Sequence, residues 1–180
     1  MRTKTRRTAA AALAVVTGTM TGCTLVNPQA GPLGFGHDDP WGTDNYCAPD
    51  AYLEEPYFLG ERVRNLTDAP ITLTGIELVN PTGIELVAAG VAPVNPDADG
   101  FMGGNRELAD PAMPWPQMSA EPLQYTLSHG EQINLIVQIK TNGRARPATV
   151  DRLKIRYESG NWEYTEYSGA SLKWVPTASC

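Results

Sequence analysis

From residue 56 onward, apolar and polar positions alternate with a period of two, and short clusters of turn residues interrupt them. "PYFLGERVRN" at 56–65 predicts a first strand, and "LTDAP" a turn after it. In "ITLTGIELVN", Ile71 and Leu73 alternate with Thr72 and Thr74 before "PTG" turns the chain into "IELVAAGVAPV". Beyond a long break, "EPLQYTL", "QINLIVQIK", "VDRLKIRYE", "WEYTEY" and "SLKWV" each read as a strand, separated by "SHGE", "TNGRARPAT" and "SGN". Successive side chains of a strand point to opposite faces, so this alternation describes half-buried sheets. Seven to eight such strands with almost no helical period predict an all-β chain, an antiparallel β-sandwich of the immunoglobulin-like kind.

Two finer expectations follow. Gly-Ile-Glu-Leu-Val occurs at 75–79 and again at 83–87, across Asn80-Pro81-Thr82, which reads as the two arms of a hairpin with Glu77 and Glu85 on its wet face. Two copies are too few for a solenoid. In the same way the "SG" turn sets Arg156 opposite Glu163 on neighbouring strands.

The N-terminus has a different grammar. Arg2, Lys4, Arg6 and Arg7 form a cationic stretch, "AAALAVV" an apolar one, and "MTGC" a small-residue end. The apolar run is far shorter than the ~20 residues a membrane helix needs, so residues 1–22 read as an export signal. Arg6-Arg7 lacks the following positions of a twin-arginine signal. Met20-Thr21-Gly22-Cys23 resembles a bacterial lipobox, with Met in the place usually held by Leu. The resemblance implies cleavage before Cys23 and a diacylglyceryl, palmitate-type modification of its thiol. Two acyl chains anchor firmly where one does so only marginally. The implied location is the extracytoplasmic face of the cell membrane, held there by the lipid alone.

Residues 23–46 then read as the lipidated cysteine and a flexible tether. "TLVNPQAGPLGFGHDDPWGTDNY" is rich in proline and glycine and shows no hydrophobic period. Fully extended it reaches roughly 75 Å. His37-Asp38-Asp39 inside it lacks any outer shell to orient three ligands. The folded domain is expected over 47–180. Within it "RNLTDAPITLTGIELV", "INLIVQIK" and "LKIRYESGNWEYTEY", with a terminal cysteine, resemble small immunoglobulin-like domains of exported lipoproteins from high-GC Gram-positive bacteria. That resemblance implies the fold and the place, and carries no activity or site residue. The Cys…Trp…Cys signature of antibody domains is absent.

Charge and cysteine count narrow the function. The whole chain carries a formal −6; without the four basic residues of the signal, ten Lys and Arg face twenty Asp and Glu. Nucleic acid is thereby excluded as a partner, because its binding rests on phosphate neutralisation. With Cys23 acylated, Cys47 and Cys180 remain, an even pair in an oxidising compartment, and a bridge between them would pin the C-terminus to the start of the domain. The alternatives are a free terminal thiol and an intermolecular bridge.

Candidate chemistry is sparse. Arg152, Lys154 and Arg156 share one face of a strand within a basic run from Lys140, a patch for lipid headgroups or an anionic wall polymer, or simply a solvated face. The proline-rich excursion at 95–121 offers Phe101 and Trp115 as a recognition surface for an envelope protein. Within the excursion, Asn95, Asp97, Asp99 and Gly100 imitate half a calcium loop, but Arg106 stands where the bidentate Glu belongs. Met102, Met113 and Met118, with His129 beyond, supply soft ligands for copper, yet the His-x-Met that one class of exported copper chaperones also needs is missing. Gly-x-Ser-x-Gly and Ser-x-x-Lys are both absent, and no cysteine remains beside a histidine. The expectation is a non-catalytic binding module without a cofactor, with metal handling and a structural envelope role as alternatives.

Overall fold

The structure, a computed structural model, describes residues 31–36, 45–49, 56–94, 103–104, 114–142, 147–169 and 171–175. In chain order its strands are β1 (Leu33–Phe35), β2 (Asn45–Pro49), β3 (Tyr57–Asn65), β4 (Ile71–Val79), β5 (Ile84–Pro93) and β6 (Gly103–Gly104). There follow β7 (Tyr125–Leu127), β8 (Gln132–Thr141), β9 (Ala148–Val150), β10 (Arg152–Ser159), β11 (Trp162–Tyr167) and β12 (Ser171–Val175). Each of the eight segments with a period-two pattern forms a strand. The four additional strands, β1, β2, β6 and β9, have five residues at most. They are too short, and lie too close to glycine or proline, for alternation to be visible.

The strands form three sheets, ordered β1-β3-β8-β5 with β6 also on β3, β11-β10-β4-β7, and β2-β12-β9. All the pairings are antiparallel except β2 with β12. The first sheet packs face to face against the other two. At one end Tyr57, Leu59, Val137 and Ile139 meet Val150, Leu153, Leu172 and Trp174. At the other, Val63, Ile133 and Leu135 meet Ile71, Leu73, Leu127 and Ile155. The Trp174 ring stands edge-on to Tyr57, with centroids 5.0 Å apart.

The topology is immunoglobulin-like at its centre: β4 pairs with β7 in one sheet and β5 with β8 in the other. In antibody domains the strand before this quartet pairs with its first member, and the strand after it with its last. Here β3 pairs with β8 and β10 with β4, so the two flanking strands have exchanged sheets.

Three expectations are corrected. The 75–79 and 83–87 repeats are not a hairpin: β4 and β5 lie in opposite sheets. The link between them crosses over at Asn80, whose φ is 48°, and Gly83, whose φ is 66°, and is held to β9 by Thr82 and Thr149 exchanging backbone bonds of 2.8 and 2.9 Å. Both arms are amphipathic, and crossing lets each bury its apolar face against the other sheet. Glu77 and Glu85 do lie on wet faces. Second, the two-residue turn at Gly160-Asn161 pairs Ser159 with Trp162, which puts Arg156 opposite Thr165, and Glu163 opposite Glu158. Third, the stretch read as a free tether contains β1, where Leu33 and Phe35 are buried and pair with Asn65 and Val63, and the first two residues of β2. Residues 23–30 and 37–44 of the tether, Cys23 among them, lie outside the described residues.

Polar side chains fix the turns. Buried Asn65 donates from Nδ2 to the carbonyls of Ala69, Leu127 and Ser128 at 2.8, 3.2 and 3.1 Å. Its Oδ1 accepts from the N–H and the hydroxyl of Thr67, both at 2.9 Å, an Asx turn. Glu131 accepts from the Tyr125 hydroxyl and the Ser128 N–H, each at 2.7 Å.

Candidate functional site

Within the excursion expected to carry recognition, Gly103 and Gly104 form β6 on β3, and from Pro114 the chain runs as a strap over the first sheet. Phe58 on β3 and Ile136 on β8 point away from the core, and Trp115 and Met118 cover them. The Trp115 ring meets Phe58 edge-on at 5.0 Å. Gly90 makes the close approach possible: a Cβ there would sit 2.8 Å from the Gln117 carbonyl oxygen and 2.9 Å from Pro116 Cβ. Ser119 then pairs with Ala89 through two backbone bonds of 2.9 Å, and its hydroxyl accepts from the Glu121 N–H at 3.1 Å. Leu123 drops into the core and leads into β7.

Among the described residues this strap bonds to the edge of β5 at one ladder position, Ala89, and an opening lies on each side of the bridge. A cavity of about 210 Å³ lies toward Gly75, Ile76, Leu86 and Arg156. Another, of about 450 Å³, lies toward Gly90, Val91, Gln124 and Tyr125. Ser119, Glu121 and Pro122 line both. β7 pairs with β4 only from Ile71 to Leu73, which leaves the later part of β4 to form a wall of the smaller opening. The arrangement offers backbone donors and acceptors at a sheet edge, a carboxylate on the strap and a guanidinium beneath it. Those are parts of a binding groove.

The basic strand is largely neutralised. Glu77 takes Lys154 Nζ at 3.0 Å on one oxygen and Arg156 at 3.1 Å on the other. The Lys154 hydrogen bond, with the nearby Arg156 charge, holds the Glu77 carboxyl below its usual range. Arg156 also lies across Gly75, where a Cβ would come within 2.9 Å of its guanidinium. Lys140 is bound to Glu85 at 2.8 Å. Arg152 is exposed at the start of β10, opposite Val79. Thus the structure brings Lys154 and Arg156 together around a carboxylate and leaves Arg152 to solvent.

The other expected residues separate. Phe101, Met102 and Met113 lie outside the described residues, as does Cys180. Met118 belongs to the strap, whereas the His129 ring contacts the Thr67 carbonyl at 2.6 Å and the Asp68 carboxylate at 3.5 Å. Cys47 is exposed on β2, next to Lys173 of β12 in the parallel register. The sequence reading passed over Arg62 and Arg64, which β3 presents together; the alternation "GERVR" carries that signal.

Fold and site together define an immunoglobulin-like β-sandwich with a strapped sheet edge. No family model matches the chain, and no curated protein does. Among solved structures the chain is similar to PapD-like domain 7 of human CEP192, at 10% identity and a TM-score of 0.42, over 88% of this chain and 98% of that one. It is also similar to a family 123 glycoside hydrolase from Clostridium perfringens, at 10% identity and a TM-score of 0.40, over 80% of this chain and 27% of the hydrolase.

Proposed function

We propose that the chain is an exported, lipid-anchored interaction module, working without catalysis at the outer face of the cytoplasmic membrane. Its attachment comes from acylated Cys23, and its contact surface is the strap with the two openings beside it. The observation that carries the contact surface is the backbone bridge between Ser119 and Ala89, with an opening on each side of it along the β5 edge among the described residues. An extended segment of a partner recognises such an edge through main-chain hydrogen bonds. A Cys47–Cys180 bridge fits the same reading: β12 runs beside β2, and Cys180 follows Lys173, the neighbour of Cys47, by seven residues.

Two measurements test this. The intact mass of protein extracted from membranes should show loss of residues 1–22, a lipid increment on Cys23 and two missing hydrogens for the bridge. An unlipidated chain retaining its N-terminus would end the anchoring half. For the contact surface, a photo-crosslinking residue at Gln117 or Glu121 should capture an envelope component that the same residue at Glu163 on β11 does not. Equal capture from both places would remove the strap from consideration.

A further inference from the structure

The arginines passed over in the sequence occupy a corner of the domain with its own character. Alternation along β3 puts Val63 and Asn65 inward, and Arg62 and Arg64 on the outer face. Beside them β1 presents Gly34 opposite Arg64, followed by Gly36. Neither glycine has a positive φ. Space explains Gly34: a Cβ there would come 3.2 Å from the Leu66 methyl groups. The bare stretch of β1 leaves a notch of about 150 Å³ whose walls carry Arg62, Arg64, Gln132 and Leu66.

Three features say what fills it. Lys140, Lys154 and Arg156 each hold a carboxylate, but among the described residues neither Arg62 nor Arg64 makes an ion pair. Two arginines that line one notch and hold no carboxylate among the described residues, in a chain of formal charge −6, offer a site for an anion. Next to them Leu66 is 59% exposed, more than any other large hydrophobic side chain described. Finally, Leu33 stands ten residues after Cys23, so this corner lies within roughly 33 Å of the anchor even when the intervening chain is fully extended.

We infer that Arg62, Arg64 and Gln132 take the phosphate of an anionic phospholipid headgroup while Leu66 enters the interfacial layer, so that the domain rests on its own membrane by this corner. The inference rests on the lipid anchor proposed above and adds an orientation to it. Guanidinium groups grip phosphate oxygens in a bidentate fork. A basic residue near an anionic surface favours contact about fivefold, so the pair favours this face roughly 25-fold. The remaining acidic surface, repelled by the same lipids, strengthens the preference.

The test uses the full acylated chain carrying Leu66→Trp, reconstituted in vesicles with headgroup-quenching lipid, against the parent chain as background. In phosphatidylglycerol-containing vesicles the added indole should be quenched, and much less so in phosphatidylcholine alone. Raising the salt to about 1 M, where the Debye length is ~3 Å, should reverse the quenching. Arg62→Glu with Arg64→Glu should abolish it, and Arg62→Gln with Arg64→Gln should weaken it, both at unchanged melting temperature. Equal quenching in the two lipids overturns the inference, as does quenching that survives both double substitutions. Burial of position 66 in detergent with a doubled molecular mass would assign the corner to a second copy and overturn it also. Protein that fails to float with any vesicle refutes the anchor; protein that floats without lipid selectivity refutes the orientation alone.

Discussion

Asn65 illustrates how one side chain can set two connections. Its amide ties the end of β3 to the turn before β4 and to the turn between β7 and β8. Replacing it with Ala takes the amide from the Leu127 carbonyl and the acceptor from the Thr67 N–H, while the Ala69 and Ser128 carbonyls keep the Thr67 hydroxyl and the Glu131 N–H; we expect a loss of about 2–4 kcal/mol, since each unmet buried group costs about 1–3. Urea unfolding should show a lower midpoint with an unchanged slope. Asn65→Asp should do no better, because a carboxylate cannot donate to those carbonyls.

The Tyr125–Glu131 pair gives a prediction in pH. The Tyr125 hydrogen bond, then the Ser128 N–H, holds the Glu131 carboxyl below the ordinary 4.5 of a glutamate. Its stabilising contribution is therefore present above 4.5 and lost as pH falls through the lower folded value. The phenol of Tyr125 is raised from 10.0 to about 12, chiefly by its bond to Glu131. Its contribution is complete below 10.0 and disappears as pH rises toward about 12. Tyr125→Phe should remove the late phenolate transition from an alkaline ultraviolet titration and flatten stability at both ends. Tyr157 is held protonated still further up, by burial and then by the Glu166 carboxylate, and should not contribute to that transition.

At the scale of elements, β1 is where sequence and structure part most clearly. "PLGF" contains two apolar residues about one glycine, too short for a period to register, and only the row of partners on β3 gives it meaning. Leu33→Ala should cost about 2–4 kcal/mol, as for other buried leucines, whereas a tether residue would cost nothing. Thermal or urea melts would decide. The β4–β10 pair yields a second expectation. Glu77→Gln releases Lys154 and Arg156 and should cost no more than about 1 kcal/mol at this half-exposed site. It should increase retention on an anionic polymer column; an unchanged elution would show that these cations do not face such a ligand. The basic run was legible as charge, but its neutralisation was not, because Glu77 lies 77 positions before Lys154.

Over the whole molecule, strands far apart in sequence close the fold. β2 and β12 pair in parallel, and β1 docks on the same sheet as β8. An oxidised Cys47–Cys180 pair would close a loop of most of the domain, so its reduction should lower stability by about 4–5 kcal/mol on the chain-entropy account. Alanine at both positions should leave a reducing agent without effect on the melt. The strap adds the other long-range feature, since Trp115 and Met118 cover Phe58 and Ile136 from a segment no periodicity could place.

What the sequence determined by itself was which residues form strands and which face of each strand is apolar. Alternation states that directly, and all eight patterned segments folded as strands. It also marked the first 23 residues as distinct in composition from the patterned segments. The tertiary structure decided partners: the crossing of β4 to β5, the exchange of β3 and β10, the rescue of β1, and the carboxylate between Lys154 and Arg156. A period of two fixes the face a side chain takes and says nothing about the neighbour along the sheet. That choice belongs to the backbone edges left open once every apolar face has been covered.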